Sequence, residues 1–408
     1  MISRQRATAI AMLVGLPLVP YYLWASLTFH GGAFFRPSLA PSHLIQSLPL
    51  PTAKSIAIYG GWLVLQILLQ IAGPGRVRPG TPLKDGSRLL YQLNGWFAFW
   101  CSWAIVVLVL WLGWISPGTA YDEFGPLLTT ANIVAFVFAA YLYVVGRGSS
   151  DRATTGDALH DYVMGVSLNP RIRSFDLKFF CESRPGLILW VVLNASLAAA
   201  QYQRHGVVTT PMILVNAFQF LYIADYFFHE EAIVTTWDIK HERFGWMLSW
   251  GDLVWVPFTY TIQAYYLVNH PHDLSPIATA AIVAVNMIGY VIFRSVNIQK
   301  HRFRRDPSRP VWGRPPRYIR TASGALLLTS GWWGIARHLN YFGDLLMGLA
   351  WCLPTGFAHP ITYFYIVYFL ILLIHRERRD HRMCLQRYGP DWEAYCQRVP
   401  WRIVPGLY

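Results

Sequence analysis

Lys300 and Arg304 are four residues apart, as are Trp333, Arg337 and Tyr341, and the same step joins Arg376, Asp380, Cys384 and Tyr388. On a helix this spacing stacks side chains on one face. Stripes that line up cation, acid and aromatic suit a ligand with phosphates and flat rings. Arg offers a planar donor fork for phosphate, and Trp and Tyr offer ring faces for stacking. Asp380 can orient an Arg or accept from a ribose hydroxyl. A snorkelling interfacial helix with an aromatic belt would account for any one of these residues. It accounts poorly for Asn340, Asp344 and Asp380 recurring between aromatics and Arg. There is no GxGxxG, Walker loop, HExxH or GxSxG, so a nucleotide would be held without a Rossmann unit.

A second group of residues suits acid chemistry. Tyr222, Asp225, Tyr226 and His229 fall on one helix face, and Glu230, Glu231, Asp238 and Glu242 follow. Asp252 then stands inside the apolar run Trp250-Gly251-Asp252-Leu-Val-Trp255-Val-Pro257. An ionisable group at membrane depth is costly and faces a cavity or a partner. Both a structural, hydrogen-bonded Asp and a proton donor remain open at this position. Pro257 and the nearby glycines permit a broken helix, which is tolerated where it lines a cavity. A third stretch, Gly156 to Arg171 with Phe175-Asp176-Leu-Lys178 and Arg184-Pro185-Gly186, is too interrupted by Pro170 and Pro185 for a long helix. Pairing of Asp176 with Lys178 and of Arg171 with Asp161 is expected there. The stretch would form a self-satisfied interfacial loop, or the lid or floor of a site in the membrane.

These groups need a membrane scaffold. Of the 408 residues 54% are apolar and 13% charged, and 18 are Trp, against about 25% charged in soluble proteins. Apolar stretches fall near 7–30, 53–73, 96–116, 130–146, 185–202, 211–228, 246–268, 276–293 and 341–374. The last is long enough for two spans broken at Pro354-Thr-Gly356. Each approaches the ~20 residues needed to cross a hydrocarbon core, so the fold class expected is all-α, polytopic, with about ten transmembrane helices. No secretory cleavage pattern follows the first stretch, which reads as a retained anchor helix. The net charge is +13, and residues 300–320 carry eight Lys and Arg against Asp306 alone. Positive loops stay cytoplasmic, which places the C-terminal cofactor-binding region on that face. The five cysteines (Cys101, Cys181, Cys352, Cys384, Cys396) form neither a CxxC pair nor a zinc spacing, so reduced thiols and no metal site are expected. With no soluble basic domain, nucleic acid is excluded as a partner.

The motifs have a family resemblance. Gly156 to Arg171 and the run Leu373-Ile-His375-Arg376…Arg379-Asp380…Cys384…Arg387-Tyr388-Gly389 resemble the two signatures of the sterol reductase family. Its members are the C14, C7 and C24 reductases and the membrane part of the lamin B receptor. Thr235-Thr236-Trp-Asp238, Phe244-Gly245, Gly251-Asp252-Leu-Val-Trp255-Val-Pro257-Phe, Gly331-Trp332-Trp333-Gly334 and Trp392-Glu393…Tyr395-Cys396-Gln-Arg398-Val-Pro400-Trp-Arg402 are similar too. Arg387 stands where the family usually has Lys. The likeness covers residues 150–408 well and the earlier spans only as hydropathy. Leu168-Asn-Pro-Arg171, Cys181-Glu…Arg184-Pro-Gly, Glu231-Ala-Ile-Val-Thr-Thr and Leu353-Pro-Thr-Gly-Phe resemble the C14 branch. Trp312-Gly-Arg314, Ala336-Arg337-His338-Leu-Asn340-Tyr341 and Pro405-Gly406 lean toward the C7 branch, and the C14 assignment is favoured.

The resemblance implies NADPH-dependent reduction of a sterol ring double bond, with sterol entering from the bilayer. It divides one domain, 1–408, into N-terminal spans (1–150), a sterol-pocket region (151–299) and an NADPH-binding region (300–408). It implies cofactor contacts at Lys300, Arg304, Leu328, Trp333, Asn340, Tyr341, Asp380, Cys384 to Tyr388 (Arg387 included) and Tyr395; geometry adds Arg337 and Arg376. An isolated ring alkene must be protonated before it accepts hydride, so an acid is needed beside a nicotinamide, with water kept out. Asp252, Tyr222 and Tyr226 are the leading donors, with His229 and Glu230 behind them. Trp246, Trp250 and Trp255 could steady a cation through their ring faces, although core packing is the expected role of at least two. Residues 337–341 and 392–400 also resemble isoprenylcysteine methyltransferases that use S-adenosylmethionine, which are much shorter. A non-catalytic sterol-binding protein is a further alternative. The host membrane, bacterial inner membrane or endoplasmic reticulum, stays open, and no obligate protein partner is evident.

Overall fold

The computed structural model describes residues 4–34, 40–83 and 86–408, and the chain divides into two compact units, Met1–Asp273 and Leu274–Tyr408. Among the described residues seven helices are long and apolar enough to cross a membrane, and the chain is an integral membrane protein. They are Arg4–Phe29, Ala53–Ala72, Phe124–Gly146, Leu177–His205, Thr210–Phe228, Pro276–Arg305 and Pro360–Tyr388. The other apolar stretches take shorter forms. Residues 96–116 give the 17-residue helix Gly95–Trp111, and the first arm of 341–374 gives the 14-residue Leu339–Cys352. The 246–268 stretch is broken: Trp246–Trp250 runs into a π-helical turn, Gly251–Trp255, then Val256–Thr259 and Ile262–Asn269.

Local sequence explains the helix ends. Thr52 and Ser55 form a reciprocal capping box for Ala53–Ala72. Ser275 caps Pro276–Arg305, whose first residue is Pro. Gly206 closes Pro185–His205 in the left-handed region at φ 70°. The span Leu177–His205 kinks at Arg184, because Pro185 removes a donor from the ladder.

Among the described residues the expectation of purely helical structure is modified by three two-stranded antiparallel hairpins. The longest pairs Arg76–Pro82 with Arg88–Leu93. It follows a helix end at Gly73. The Asn94 amide stitches its base, donating to the carbonyls of Leu69, Gln70 and Gly73 at 3.0–3.2 Å.

Lipid supplies no hydrophobic drive between helices, so packing and buried polar contacts carry the first unit. The Ser55 and Thr130 hydroxyls meet at 2.9 Å, and Gln66 donates to Ser102 at 2.8 Å. Trp190 donates to Gln219 at 2.7 Å and Trp250 to Asn132 at 2.8 Å. The second unit is built on Pro276–Arg305 packed against Leu339–Cys352. Gly289 and Gly343 make that closeness possible, since a Cβ on either would meet the other's carbonyl oxygen at 2.7 Å.

Candidate functional site

In the first unit, Asp252 sits on the π-helical turn, a device common at functional sites. Its carbonyl oxygen lies against Gly186, where any Cβ would collide with it. Glycine at 186 therefore lets the start of Pro185–His205 approach the Asp252 turn. Glu182 lies one helical turn before Gly186, on Leu177–Ser183, and its carboxylate is close enough to Asp252 for their charges to interact. Asp252 Oδ2 and Glu182 Oε1 are both sealed from solvent and accept no hydrogen bond. Two carboxyl groups with unsatisfied oxygens in an apolar interior are costly, and such an arrangement can hold and give up a proton.

Lys178 supplies the nearby positive charge. Its ammonium is wholly buried, and it donates to the carbonyls of Asp238, Ile239 and Glu242 at 2.8–2.9 Å. All three donors are used on backbone, so the expected Asp176–Lys178 contact is replaced. Asp176 instead pairs with Arg171 at 2.8 Å and caps Phe179 N at 2.8 Å. Asp161, expected to meet Arg171, accepts from the Thr155 backbone and hydroxyl at 2.9 and 2.8 Å. Short local turns offered these acids closer donors than the cations placed opposite them by spacing. The loop of residues 150–169 frames a polar cleft of about 820 Å³ whose acids Asp151 and Asp161 are satisfied from within. Burial raises the Asp151 carboxyl, but donors from Ser149, Ser167, Asn169 and Leu168 outweigh it and hold it below the usual range.

Tyr226 reaches this cluster, its hydroxyl lying 3.5 Å from the Glu182 carbonyl oxygen. Tyr222, one turn earlier on Thr210–Phe228, packs its ring beside Trp190 at 6.4 Å. Glu230 turns to other work, pairing with the buried Arg184 at 3.3 Å and accepting from Gly95 N at 2.8 Å. Burial nonetheless lifts its carboxyl above the ordinary value against the pull of Arg184. His229 is tied to Asp225, ring to carboxylate at 3.4 Å. Trp246 stacks on Trp250 with centroids 5.1 Å apart, and both are buried as core. Glu182 was not singled out by spacing. Its signal was an acid inside the apolar run Phe179-Phe180-Cys181-Glu182-Ser183 ahead of Pro185.

In the second unit, the Lys300 ammonium sits 3.8 Å over the Trp333 ring centroid. Trp333 is fixed in turn, donating to Val296 O at 3.0 Å and accepting at its carbonyl from Tyr395 at 3.4 Å. Burial pushes the Tyr395 hydroxyl up, so it stays a neutral donor. Asp380 lies 3.3 Å from His338 Nε2 and 3.8 Å from Cys384 Sγ, and the charge of Lys300 acts on it too. His338 stacks on Tyr341 at 4.8 Å and 15°. Asn340 Oδ1 is sealed and accepts no hydrogen bond. Lys300, Trp333, Asp380, Cys384 and Tyr341 are thus linked through contacts from four separate segments, with His338 as the added joint.

Other expected members lie around that network. Arg337 is turned into the fold, its guanidinium on Val399 O at 2.9 Å and its backbone N on Trp401 O at 3.0 Å. Arg337 thereby clamps the chain segment around residues 399–401 to the start of Leu339–Cys352. Leu328 belongs to the buried cluster around Trp333, Val296 and Phe303. Arg304 and Arg387 are exposed, Arg387 lying 5.3 Å over Tyr388, while Arg376 is half-buried on the same long helix. Tyr388, Cys384 and Tyr395 pack around Trp392, which donates to His381 at 3.0 Å. Among the described residues no group of His, Cys, Asp and Glu could hold a metal ion.

The relatives of this chain agree with its motifs. Residues 3–408 match the family model described as "Ergosterol biosynthesis ERG4/ERG24 family". The delta(14)-sterol reductase of Methylotuvimicrobium alcaliphilum is 54% identical over 98% of this chain and 94% of its own length. That of Dictyostelium discoideum is 45% identical over 96% and 88%. The 7-dehydrocholesterol reductase of Xenopus laevis is 38% identical over 98% and 92%. The chain belongs to the ergosterol biosynthesis ERG4/ERG24 family, the sterol reductases that its motifs resemble.

Proposed function

We propose that this protein is a delta(14)-sterol reductase, using NADPH to saturate the C14–C15 double bond of a sterol intermediate that enters from the bilayer. The observation that carries the choice of bond is the end-to-end identity of 54% and 45% to relatives bearing that name, against 38% to a 7-dehydrocholesterol reductase. Reduction of the C7 bond is the second reading, favoured only by the Trp312-Gly-Arg314 and 336–341 motifs.

The residues present suit a dinucleotide phosphate. Lys300 with Arg304 and Arg376 would hold phosphate, Trp333 and Tyr341 would face its rings, and Asp380 with Asn340 would take hydroxyl or amide protons. NADPH when bound supplies the hydride. The chain's own part is the proton. Asp252 would hold it at a carboxyl oxygen that no other group occupies, with Glu182 beside it as the store from which it is replenished. Tyr226 would orient the pair, Tyr222 would bound the cavity, and the apolar surroundings would exclude water that could trap a cation. The NADPH site is assigned to the cytoplasmic face because the basic segment 300–320 belongs there by the positive-inside rule.

An assay in detergent tests this, with NADPH or NADH and either an 8,14-diene or a 5,7-diene sterol, followed by product mass and loss of diene absorbance. Consumption of the 8,14-diene with NADPH is expected. Consumption of the 5,7-diene alone would move the protein to the C7 reading, and absence of any cofactor binding would remove the reductase reading.

A further inference from the structure

His338 carries the ring that meets Asp380, yet no helix fixes it. It stands just before Leu339–Cys352 with φ −137° and ψ 49°, outside helical geometry. Two backbone bonds that hold it come from far along the chain. His338 N donates to Arg402 O at 2.8 Å, and Arg337 N donates to Trp401 O at 3.0 Å. Arg402 reaches the other half of the pair as well. Its guanidinium donates to Glu377 Oε2 at 2.9 Å, and the Tyr408 hydroxyl donates to the same oxygen at 3.2 Å. Glu377 precedes Asp380 on Phe364–Tyr388 by about one turn of helix. The contacts close a ring, from His338 to Asp380, along the helix to Glu377, across to Arg402 and back to His338.

The corners of the ring are stiff. The Glu377 side chain is 1% exposed, and a buried carboxylate is costly unless donors meet it. Both donors on Glu377 Oε2 come from residues 402 and 408, so the helix keeps this acid satisfied while that segment is seated. The segment is also locked on itself. Arg402 N, Ile403 N and Val404 N donate to the Tyr408 backbone oxygen at 2.8, 2.9 and 3.1 Å, and Tyr408 N donates to Val404 O at 2.9 Å. Gly406 makes the turn at φ 82°, and the Arg402 guanidinium lies 5.5 Å over the Tyr408 ring. We propose that residues 401–408 are a strap that sets the His338–Asp380 pair, with Arg402 as its positioning residue, and that the strap thereby governs affinity for the cofactor. The second half rests on the NADPH reading above; the first does not.

The test is a double-mutant cycle on the full-length protein in detergent, read by NADPH titration. Arg402→Met opens the ring at Glu377 and should weaken NADPH about tenfold, with kcat at saturating cofactor within about twofold of wild type. Arg402→Lys keeps a cation there and should fall between the two. In a His338→Ala background Arg402→Met should cost less than about twofold more, because the strap acts through His338. Equal losses in the two backgrounds would mean a general destabilisation and would overturn the proposal. Tyr408→Phe removes a single bond and keeps the test open should Arg402→Met fail to fold. It should weaken NADPH about threefold, again only where His338 is present. A second readout needs no cofactor. Carbethoxylation of His338 by diethyl pyrocarbonate, mapped by mass spectrometry, should run about fivefold faster in the strap variants, as local opening frees the ring from Asp380. An unchanged rate in folded variants would overturn the strap. Wild-type protein that binds no NADPH, with His338 still released by the strap variants, would remove the cofactor reading and leave the strap standing.

Discussion

In the Met1–Asp273 unit the acids proposed for chemistry have oxygens sealed and unbonded, whereas in the Leu274–Tyr408 unit Asp380 is part-exposed and touches His338 and Cys384 at once. The first arrangement keeps carboxyl groups dry and reactive, at a cost met by the packed helices and by the buried charge of Lys178. The second spreads charge over side chains of which Asp380 stays one-third exposed. Position is enforced differently as well. Backbone contacts, Gly186 on Asp252 and Lys178 on three carbonyls, fix the acids. Side-chain contacts, Lys300 on Trp333 and His338 on Tyr341, shape the second site. Substitutions should therefore act on the rate of chemistry in the first unit and on cofactor affinity in the second.

The largest effect is expected at Asp252. Asp252→Asn should lower turnover of the 8,14-diene by about 10³-fold, within the range for loss of a general acid, with NADPH affinity within twofold of wild type. A matching loss of NADPH binding would break the division between units. Lys300→Met should weaken NADPH about 10- to 100-fold, the worth of a hydrogen bond to a charged group, read by titration, and leave turnover at saturating cofactor within a few-fold. Glu182→Gln should lower kcat about tenfold with KM for NADPH unchanged. An unchanged kcat would leave Asp252 as a lone acid.

The smallest effect concerns pH. Burial raises the Glu230 carboxyl above its unfolded value, so the folded state binds the proton more tightly than the unfolded one. Its contribution to stability is full below the unfolded value near 4.5 and is lost as pH rises through the folded one. The stability of wild type minus that of Glu230→Gln, read by thermal unfolding, should fall as pH rises. A difference that grows with pH would mean that Arg184 outweighs burial.

The two regions also differ in how much the sequence discloses. Four-residue spacing identified Asp380 with Cys384, and an acid in an apolar run identified Asp252, because each signal is local. His338 and Glu182 depend on partners brought in from other segments, His338 on Asp380 and Glu182 on Asp252 and Tyr226, and no period encodes that. Arg337 shows the converse. Its spacing from Trp333 and Tyr341 is that of a stripe, yet helix Leu339–Cys352 begins only after it, and its guanidinium follows the backbone of residue 399. Hydropathy found the long helices. It merged the 246–268 stretch, whose break was legible instead in Pro257 and the nearby glycines.

The Lys178 ammonium has a consequence for motion. Its three bonds end on Asp238, Ile239 and Glu242, so the short helix Trp237–His241 cannot fray from its C-terminal end one residue at a time without stranding a buried cation. Opening there must release all three carbonyls together. Residues 237–242 should then behave as one cooperative unit in hydrogen exchange, with protection rising and falling as a block despite a helix of barely more than one turn.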